Sequence, residues 1–310
     1  MTGQGDGARH AETAPASPAI AVSTWSLHRA LGLRYLNSPA NDVADAFEDA
    51  YGPAKVDLLD LPAALRKNGI DRIEIVHVHM RSRDPAYLAE VKASLAQSGV
   101  RLQTLLIDAG DIADPVNRER DISWIGAWID AAAALGADQA RVSGGRQKPT
   151  RAALDLAVDG LRRLSRRGAE DGVRVVTENW QELTAGPEAV HYLLDGVNGD
   201  IGLIADFANW KGATKYDDLA SIMPRATSTH AAASFPAPGV MDRDDYARCL
   251  DIAAEAGLDG PHTLIYSGPG DDEWAGLRIE RDFVRERLTT NRTEQPAARS
   301  RAAFATAGRS

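Results

Sequence analysis

Several features that would restrict the class of protein are scarce or missing in this chain of 310 residues. Its single cysteine, Cys249, cannot form an intrachain disulfide or a zinc site built from several cysteines. No apolar run approaches the roughly 18 residues that a membrane helix requires. The net charge of −9 disfavours binding to a phosphate backbone. We therefore expect a cytoplasmic protein that binds neither membranes nor nucleic acids.

The common catalytic and nucleotide-binding loops are also missing. The sequence has no G-x-G-x-x-G after an early strand and no G-x-x-x-x-G-K-[ST], which argues against a Rossmann or P-loop nucleotide site. It has no G-x-S-x-G, and Cys249 lies in a helical stretch away from any strand end. A serine or cysteine hydrolase is therefore disfavoured.

The composition that is present, 44% hydrophobic and 25% charged residues, is typical of a folded protein with a large core. Residues 1–18 lack the basic and apolar regions of a secretory signal and are predicted to form a flexible tail. Periodicity is lost from Leu288 onward, and residues 289–310 are predicted to be a disordered tail. Length alone would permit two domains, but we predict one domain over residues 19–288.

One pattern recurs in the middle of the chain: a helical stretch ends at a glycine, and a short apolar run follows it. A glycine that follows a helix can adopt the left-handed conformation that ends it, and the apolar run that follows is typical of a buried strand. Such junctions occur at Gly69, Gly99, Gly136, Gly172 and Gly257. Eight strands alternating with helices favour a closed (β/α)8 barrel, a TIM barrel, over an open doubly wound sheet. The predicted strands are 19–24, 72–77, 102–107, 138–143, 173–178, 201–206, 226–231 and 262–267.

Polar residues end three consecutive predicted strands. Glu178, Asp206 and His230 close the fifth, sixth and seventh strands, which are otherwise apolar. The carboxyl ends of barrel strands face the active site. Two carboxylates and one imidazole suit manganese, magnesium or cobalt. The alternative is that each residue is separately hydrogen-bonded at the barrel mouth.

The residues around these strand ends resemble a known family. The strings are TENW on the fifth strand, ADFANW on the sixth, STHAAA on the seventh and then GPHTLIYSGPGDDEW. Together they resemble the sugar phosphate isomerases/epimerases, which are xylose-isomerase-like barrels. The resemblance covers most of residues 19–288. It implies a divalent metal held by a Glu, an Asp, a His and a second Glu, with the two glutamates flanking the substrate carbon that loses a proton.

Glu178, Asp206 and His230 match the first three ligands of that family, but the fourth is missing. Ile265 or Tyr266 occupies its place, and Ala232 stands where many relatives carry a lysine. Acidic residues on the loop after the eighth strand are candidate substitutes: Asp271, Asp272 and Glu273.

The resemblance implies an isomerase or epimerase of a sugar or related hydroxy-ketone, with Glu178 as base and ligand. It also implies a homodimer or homotetramer. Two alternatives stay open because one carboxylate is missing. One is a lyase, either a dehydratase or a deglycosidase of 3-keto-glycosides. The other is a non-catalytic barrel that binds a sugar or a protein partner.

Further site residues are predicted from their position near strand ends. His77 and His79 lie two apart on the second strand, and one of them is a candidate general acid unless they form a structural pair. The insertion 33–54 after the first strand is a candidate lid. Side chains with the chemistry to stack on a sugar or bind its polar groups near the mouth are Trp25, Arg141, Trp180, Trp210 and Tyr266.

Overall fold

The computed structural model describes residues 19–307, with side chains described for residues 19–290. Eight parallel strands close into a barrel, and two short antiparallel strands form a separate hairpin. The barrel strands are β1 (Ile20–Ser23), β4 (Arg72–Val76), β5 (Arg101–Ile107), β6 (Gln139–Val142), β7 (Arg174–Glu178), β8 (Gly202–Asp206), β9 (Ser228–Ala231) and β10 (His262–Leu264). The hairpin strands are β2 (Leu33–Tyr35) and β3 (Phe47–Asp49). The predicted (β/α)8 barrel is confirmed, and each predicted barrel strand overlaps an observed one.

Helices alternate with the barrel strands. They are α1 (His28–Leu31), α2 (Leu61–Lys67), α3 (Pro85–Ser98), α4 (Arg118–Leu135), α5 (Arg151–Glu170), α6 (Pro187–Gly196), α7 (Lys215–Ile222), α8 (Arg243–Glu255) and α9 (Glu273–Ala307). The five junction glycines all have φ between +62° and +78°, a conformation that costs an ordinary residue steric strain. Among the described helices, none is both long and apolar enough to span a membrane.

The last helix continues beyond the predicted end of the domain. The structure extends α9 to Ala307, whereas the loss of periodicity predicts that a tail begins at residue 289. Residues 289–307 contain six alanines and three arginines, which have high helix propensity, so a helix can continue there without an apolar stripe. The predicted tail at residues 1–18 lies outside the described residues.

Alternation along the strands sends one set of side chains into the barrel and the other toward the helices. Val176 and Ile204 belong to a small apolar cluster inside the barrel. Glu178 and Asp206 follow them by two positions, and residues two apart in a strand share a face. The polar strand ends therefore point inward, at the carboxyl end of the barrel.

The predicted lid segment contains the β2–β3 hairpin and is tied to the barrel through Asn37. The Asn37 Oδ1 atom accepts hydrogen bonds from the indole nitrogens of Trp124 (3.1 Å) and Trp128 (3.2 Å) on α4. Its backbone carbonyl lies 3.3 Å from His77 Nε2. Asn37 is itself buried, so this part of the segment is anchored on the barrel wall.

Candidate metal centre and active site

The three predicted metal ligands meet inside the barrel. Asp206 and His230 are register partners on β8 and β9, and Glu178 ends the adjacent strand β7. The Nδ1 atom of His230 lies 3.2 Å from Glu178 Oε1 and 3.6 Å from Asp206 Oδ2. One ligand atom from each of the three residues lies within 4.8 Å of the other two. Glu178, Asp206 and His230 thus form a candidate metal site, which we refer to below as the metal-ligating group.

The residues of this group fit a hard divalent cation. All three are buried, and burial of ionised carboxylates is costly unless a cation compensates it. Glu178 Oε2 is buried and accepts no hydrogen bond within the described part of the chain. Two carboxylates and a neutral imidazole suit magnesium, manganese or cobalt rather than a metal that prefers sulfur ligands.

A third buried carboxylate, Glu74 on β4, contacts His230 on the side away from Glu178 and Asp206. Its Oε2 lies 2.9 Å from His230 Nε2. Its Oε1 accepts hydrogen bonds from Gln103 Nε2 (2.9 Å) and Thr104 Oγ1 (3.0 Å). A proton on Nε2 that is shared with Glu74 leaves Nδ1 free to face Glu178 and Asp206. Carboxylates commonly orient metal-binding histidines in this way.

Glu74 is not among the site residues predicted from the sequence. One signal was available, because Glu74 stands between Ile73 and Ile75 in an otherwise apolar strand. An unpaired charge inside a barrel is costly, so such a residue calls for a buried partner. The identity of that partner depends on the three-dimensional arrangement of β4 and β9.

Charges within the cluster set the direction of each pKa shift. Burial alone would raise the pKa of Glu178, but the charges of His230 and Arg141 outweigh it and lower that pKa. At Asp206, burial and the charge of Glu178 prevail and raise the pKa. Burial alone would lower the pKa of His230, yet the charges of Glu178 and Glu74 raise it well above its usual value. A cation bound at Nδ1 would therefore compete with a proton.

Arg141 on β6 borders the metal-ligating group. Its guanidinium lies 2.6 Å from Asp108 Oδ1, and its Nε lies 3.1 Å from Glu178 Oε2, an ion pair not aligned as a hydrogen bond. The same guanidinium stacks over the ring of Trp180 at 4.5 Å. Trp25 donates from its indole nitrogen to Asp108 Oδ2 at 2.9 Å. Three of the predicted substrate-binding residues, Trp25, Arg141 and Trp180, are therefore assembled beside Glu178.

Two other predicted substrate-binding residues have side chains engaged elsewhere. The hydroxyl of Tyr266 donates to the carbonyl of Pro269 at 3.1 Å, and its ring packs against Phe235. Trp210 is buried, and its indole nitrogen donates to the carbonyl of Thr184 at 3.0 Å. Neither side chain has a polar contact with the metal-ligating group in the described structure.

His77 and His79 are buried in the barrel wall rather than in the metal-ligating group. His77 Nδ1 accepts a hydrogen bond from the backbone N–H of Asp108 at 3.1 Å, and its ring packs between Trp124 and Trp128. His79 Nδ1 lies 2.8 Å from Thr24 Oγ1. His79 Nε2 is buried without a hydrogen-bond partner among the described residues, and the role of either histidine as general acid stays a prediction.

These buried histidines predict a loss of stability in acid. Burial lowers the pKa of His77 and His262 to about 4 and that of His79 to about 3. In the unfolded chain each of these three histidines takes up a proton near pH 6.5, so below that pH each binds more protons in the unfolded chain than in the folded one. The stability that these three histidines contribute is therefore complete above pH 6.5 and falls as the pH is lowered toward 4. We expect a loss of about 2 kcal/mol per histidine between pH 6.5 and 5.

Urea unfolding measured between pH 7 and 5 tests this expectation. Substitution of His262 by glutamine should make the dependence of unfolding free energy on pH shallower. A pH dependence of the unfolding free energy that is the same in His262→Gln as in the natural chain would contradict the expectation.

The acidic loop after β10 does not supply a fourth ligand. Glu273 accepts hydrogen bonds from the backbone N–H groups of Arg29 (2.9 Å) and Ala30 (2.8 Å). Asp271 and Asp272 are exposed. Ile265 is half-buried and has no charge to contribute. Within the described residues, the metal-ligating group has the three members Glu178, Asp206 and His230.

Comparison with protein families agrees with this architecture. The model of the xylose isomerase-like TIM barrel family matches residues 62–287. The chain belongs to this family. No curated protein matches the chain in sequence.

Solved structures share the fold at low sequence identity. An L-ribulose 3-epimerase is 16% identical with a TM-score of 0.69, and the match covers 91% of this chain and 98% of that one. A xylose isomerase-like TIM barrel protein from Mycobacterium smegmatis in complex with magnesium is 18% identical with a TM-score of 0.62, covering 89% and 97%. The 3-keto-D-glucoside 4-epimerase from E. coli is 16% identical with a TM-score of 0.60, covering 77% and 97%.

Replacing Glu74 by glutamine is expected to weaken metal binding about 10- to 100-fold, because His230 loses the carboxylate that orients it. Isothermal titration with MnCl₂ measures the change. Replacing Glu280 by glutamine is the matched control, since Glu280 is an equally buried glutamate on α9 outside the cluster. Equal manganese affinity in the two variants would rule out the orienting role of Glu74.

Proposed function

We propose that this protein is a divalent-metal-dependent isomerase or epimerase of a keto-sugar or related hydroxy-ketone, with Glu178 as its base. The observation that carries the proposal is the metal-ligating group, in which Glu178 keeps a buried oxygen without a hydrogen bond. Membership of the xylose isomerase-like family supports a carbohydrate substrate. Two of the solved structures described above are sugar epimerases, which gives further support.

A bound divalent cation would supply Lewis acidity at a substrate carbonyl. Glu178, Asp206 and His230 would hold it, with Glu74 fixing the His230 ring. The lowered pKa of Glu178 keeps its carboxylate ionised at neutral pH, the form in which it can accept a proton. Asn209 Nδ2 donates to Glu178 Oε1 at 3.0 Å and so fixes the orientation of the carboxylate.

The place expected for a second base is apolar, and this favours reactions that use one base. A two-base epimerisation requires an acid or base on each face of the substrate, and a missing partner costs about 10²–10⁴ in rate. With Ile265 in that place, Glu178 must both remove and return the proton. An aldose–ketose isomerisation, in which the proton moves to the neighbouring carbon on the same face, satisfies this condition.

The same apolar position also favours a second candidate. Elimination of a β-substituent, as in a dehydratase or a 3-keto-glycoside deglycosidase, requires one base and a leaving group. The barrel would then be a lyase that uses the same three ligands.

Incubation with keto-sugars in heavy water, with and without manganese, tests the proposal. Isomerisation predicts an isomeric product with deuterium incorporated at carbon, and elimination predicts loss of water or of an aglycone. EDTA should abolish either reaction, and manganese should restore it. The absence of stoichiometric metal, together with unaffected turnover in EDTA, would contradict both enzyme hypotheses and favour a non-catalytic barrel.

A further inference from the structure

A polar cleft lies directly beside the metal-ligating group, between the loops that follow β7 and β8. Its volume is about 400 Å³, which falls within the range of small-molecule binding sites. Asn179 and Asn209 line it, and both also contact the group. Asn179 Oδ1 accepts from the backbone N–H of Asp206 at 2.7 Å, and Asn209 Nδ2 donates to Glu178 Oε1. A ligand bound at the metal-ligating group is therefore next to this cleft.

The lining of the cleft has the chemistry of a site for a neutral polyol. Trp180 offers an aromatic surface, and Gln181 and Asn209 offer amides that both donate and accept hydrogen bonds. Lys211 is the one cation of the lining and is accompanied by Asp218, so the lining carries no surplus of positive charge. A phosphate site would require such a surplus or several converging donors. The charges and amide groups of the lining therefore favour binding of sugar hydroxyls over binding of a phosphate group.

Gln181 has an unusual backbone conformation at the edge of this cleft. Its φ of 73° and ψ of 171° lie in a region occupied almost only by glycine. The cost of such a conformation in a residue with a side chain is usually offset by a function at that position. Gln181 lines the cleft, so this strained position is a candidate for contact with a ligand.

We propose that this cleft binds the second sugar unit of an unphosphorylated two-unit substrate, while the first unit lies at the metal-ligating group. The inference rests on the proposed function only for the position of the first unit. It restricts the substrate class to neutral disaccharides or glycosides rather than monosaccharide phosphates.

The test measures binding rather than turnover, so its result bears on the cleft even if the protein does not catalyse the proposed reaction. Calorimetry in MgCl₂ compares fructose with lactulose, which is a fructose unit joined to a second sugar. We expect lactulose to bind about tenfold more tightly or better, the effect of one or two added contacts. Equal affinities, or tighter binding of fructose 6-phosphate than of lactulose, would overturn the proposal.

Two variants locate the second unit. Ala185 is an exposed residue of the cleft lining, and Ala185→Trp should remove the preference for lactulose while fructose binding is unchanged. Ala220→Trp adds the same side chain on an exposed position of α7 outside the lining and should keep the preference. Preserved lactulose affinity in Ala185→Trp would contradict the assignment.

Gln181→Gly separates a structural role from a binding role. Glycine tolerates the observed φ and ψ, so we expect a higher melting temperature together with weaker lactulose binding. A variant that binds lactulose like the natural chain would count against the cleft as the second subsite.

Discussion

Replacing Glu178 by glutamine is expected to lower turnover by about 10²–10⁴-fold, the usual contribution of a general base. Glutamine keeps the size of the side chain but cannot accept the substrate proton. The substitution also changes one of the three residues of the metal-ligating group, so the loss of turnover should lie near the upper end of this range. The rate of deuterium incorporation from heavy water into the substrate measures the effect directly.

The control for this variant is Glu182→Gln. Glu182 lies four residues further on and is exposed, so its substitution should leave the exchange rate unchanged. Substantial exchange in the Glu178 variant at saturating manganese would show that another group removes the proton.

Replacing Arg141 by methionine is expected to lower the free energy of unfolding by about 3–5 kcal/mol. Arg141 is 2% exposed and pairs with two buried carboxylates. Methionine fills a similar volume but leaves Asp108 without its cation and Glu178 with His230 alone to offset its charge. Chemical denaturation of the metal-free protein measures the loss.

Arg163→Met is the matched comparison, because Arg163 also pairs with a carboxylate but on the protein surface. Its partner Glu119 has 65% of its side chain exposed, and water compensates such a charge when the pair is broken. The stability of this variant should stay close to that of the natural chain. Similar losses of unfolding free energy in both variants would indicate that burial does not determine how much the Arg141 ion pairs contribute to stability.

The barrel and the metal-ligating group could be predicted because both depend on local patterns. Gly99 and Gly136 follow helices, and each has the left-handed φ that the junction pattern predicts. Strand ends in a parallel barrel share one face, so Glu178, Asp206 and His230 could be placed together without knowing any distance.

Contacts between distant elements could not be predicted in this way. The pairing of Glu74 with His230 spans 156 residues in sequence and depends on how the barrel closes. The same limit applies to Tyr266, whose position in the sequence does not reveal that its side chain packs against Phe235. Arg141 was selected as a substrate contact, and its ion pairs with Asp108 and Glu178 were not visible in the sequence.

Closure of the barrel has a consequence for folding. The strand β1 pairs with β4 on one side and with β10 on the other. Glu273 then accepts a hydrogen bond from the backbone N–H of Arg29, which follows β1 and lies 244 residues earlier in the sequence. During synthesis, β1 and β9 therefore each keep one unpaired edge until β10 has been made. Exposed strand edges promote aggregation. Closure should thus be a late folding step, since it depends on a long-range contact. Release of the chain before β10 is complete would produce an aggregation-prone species.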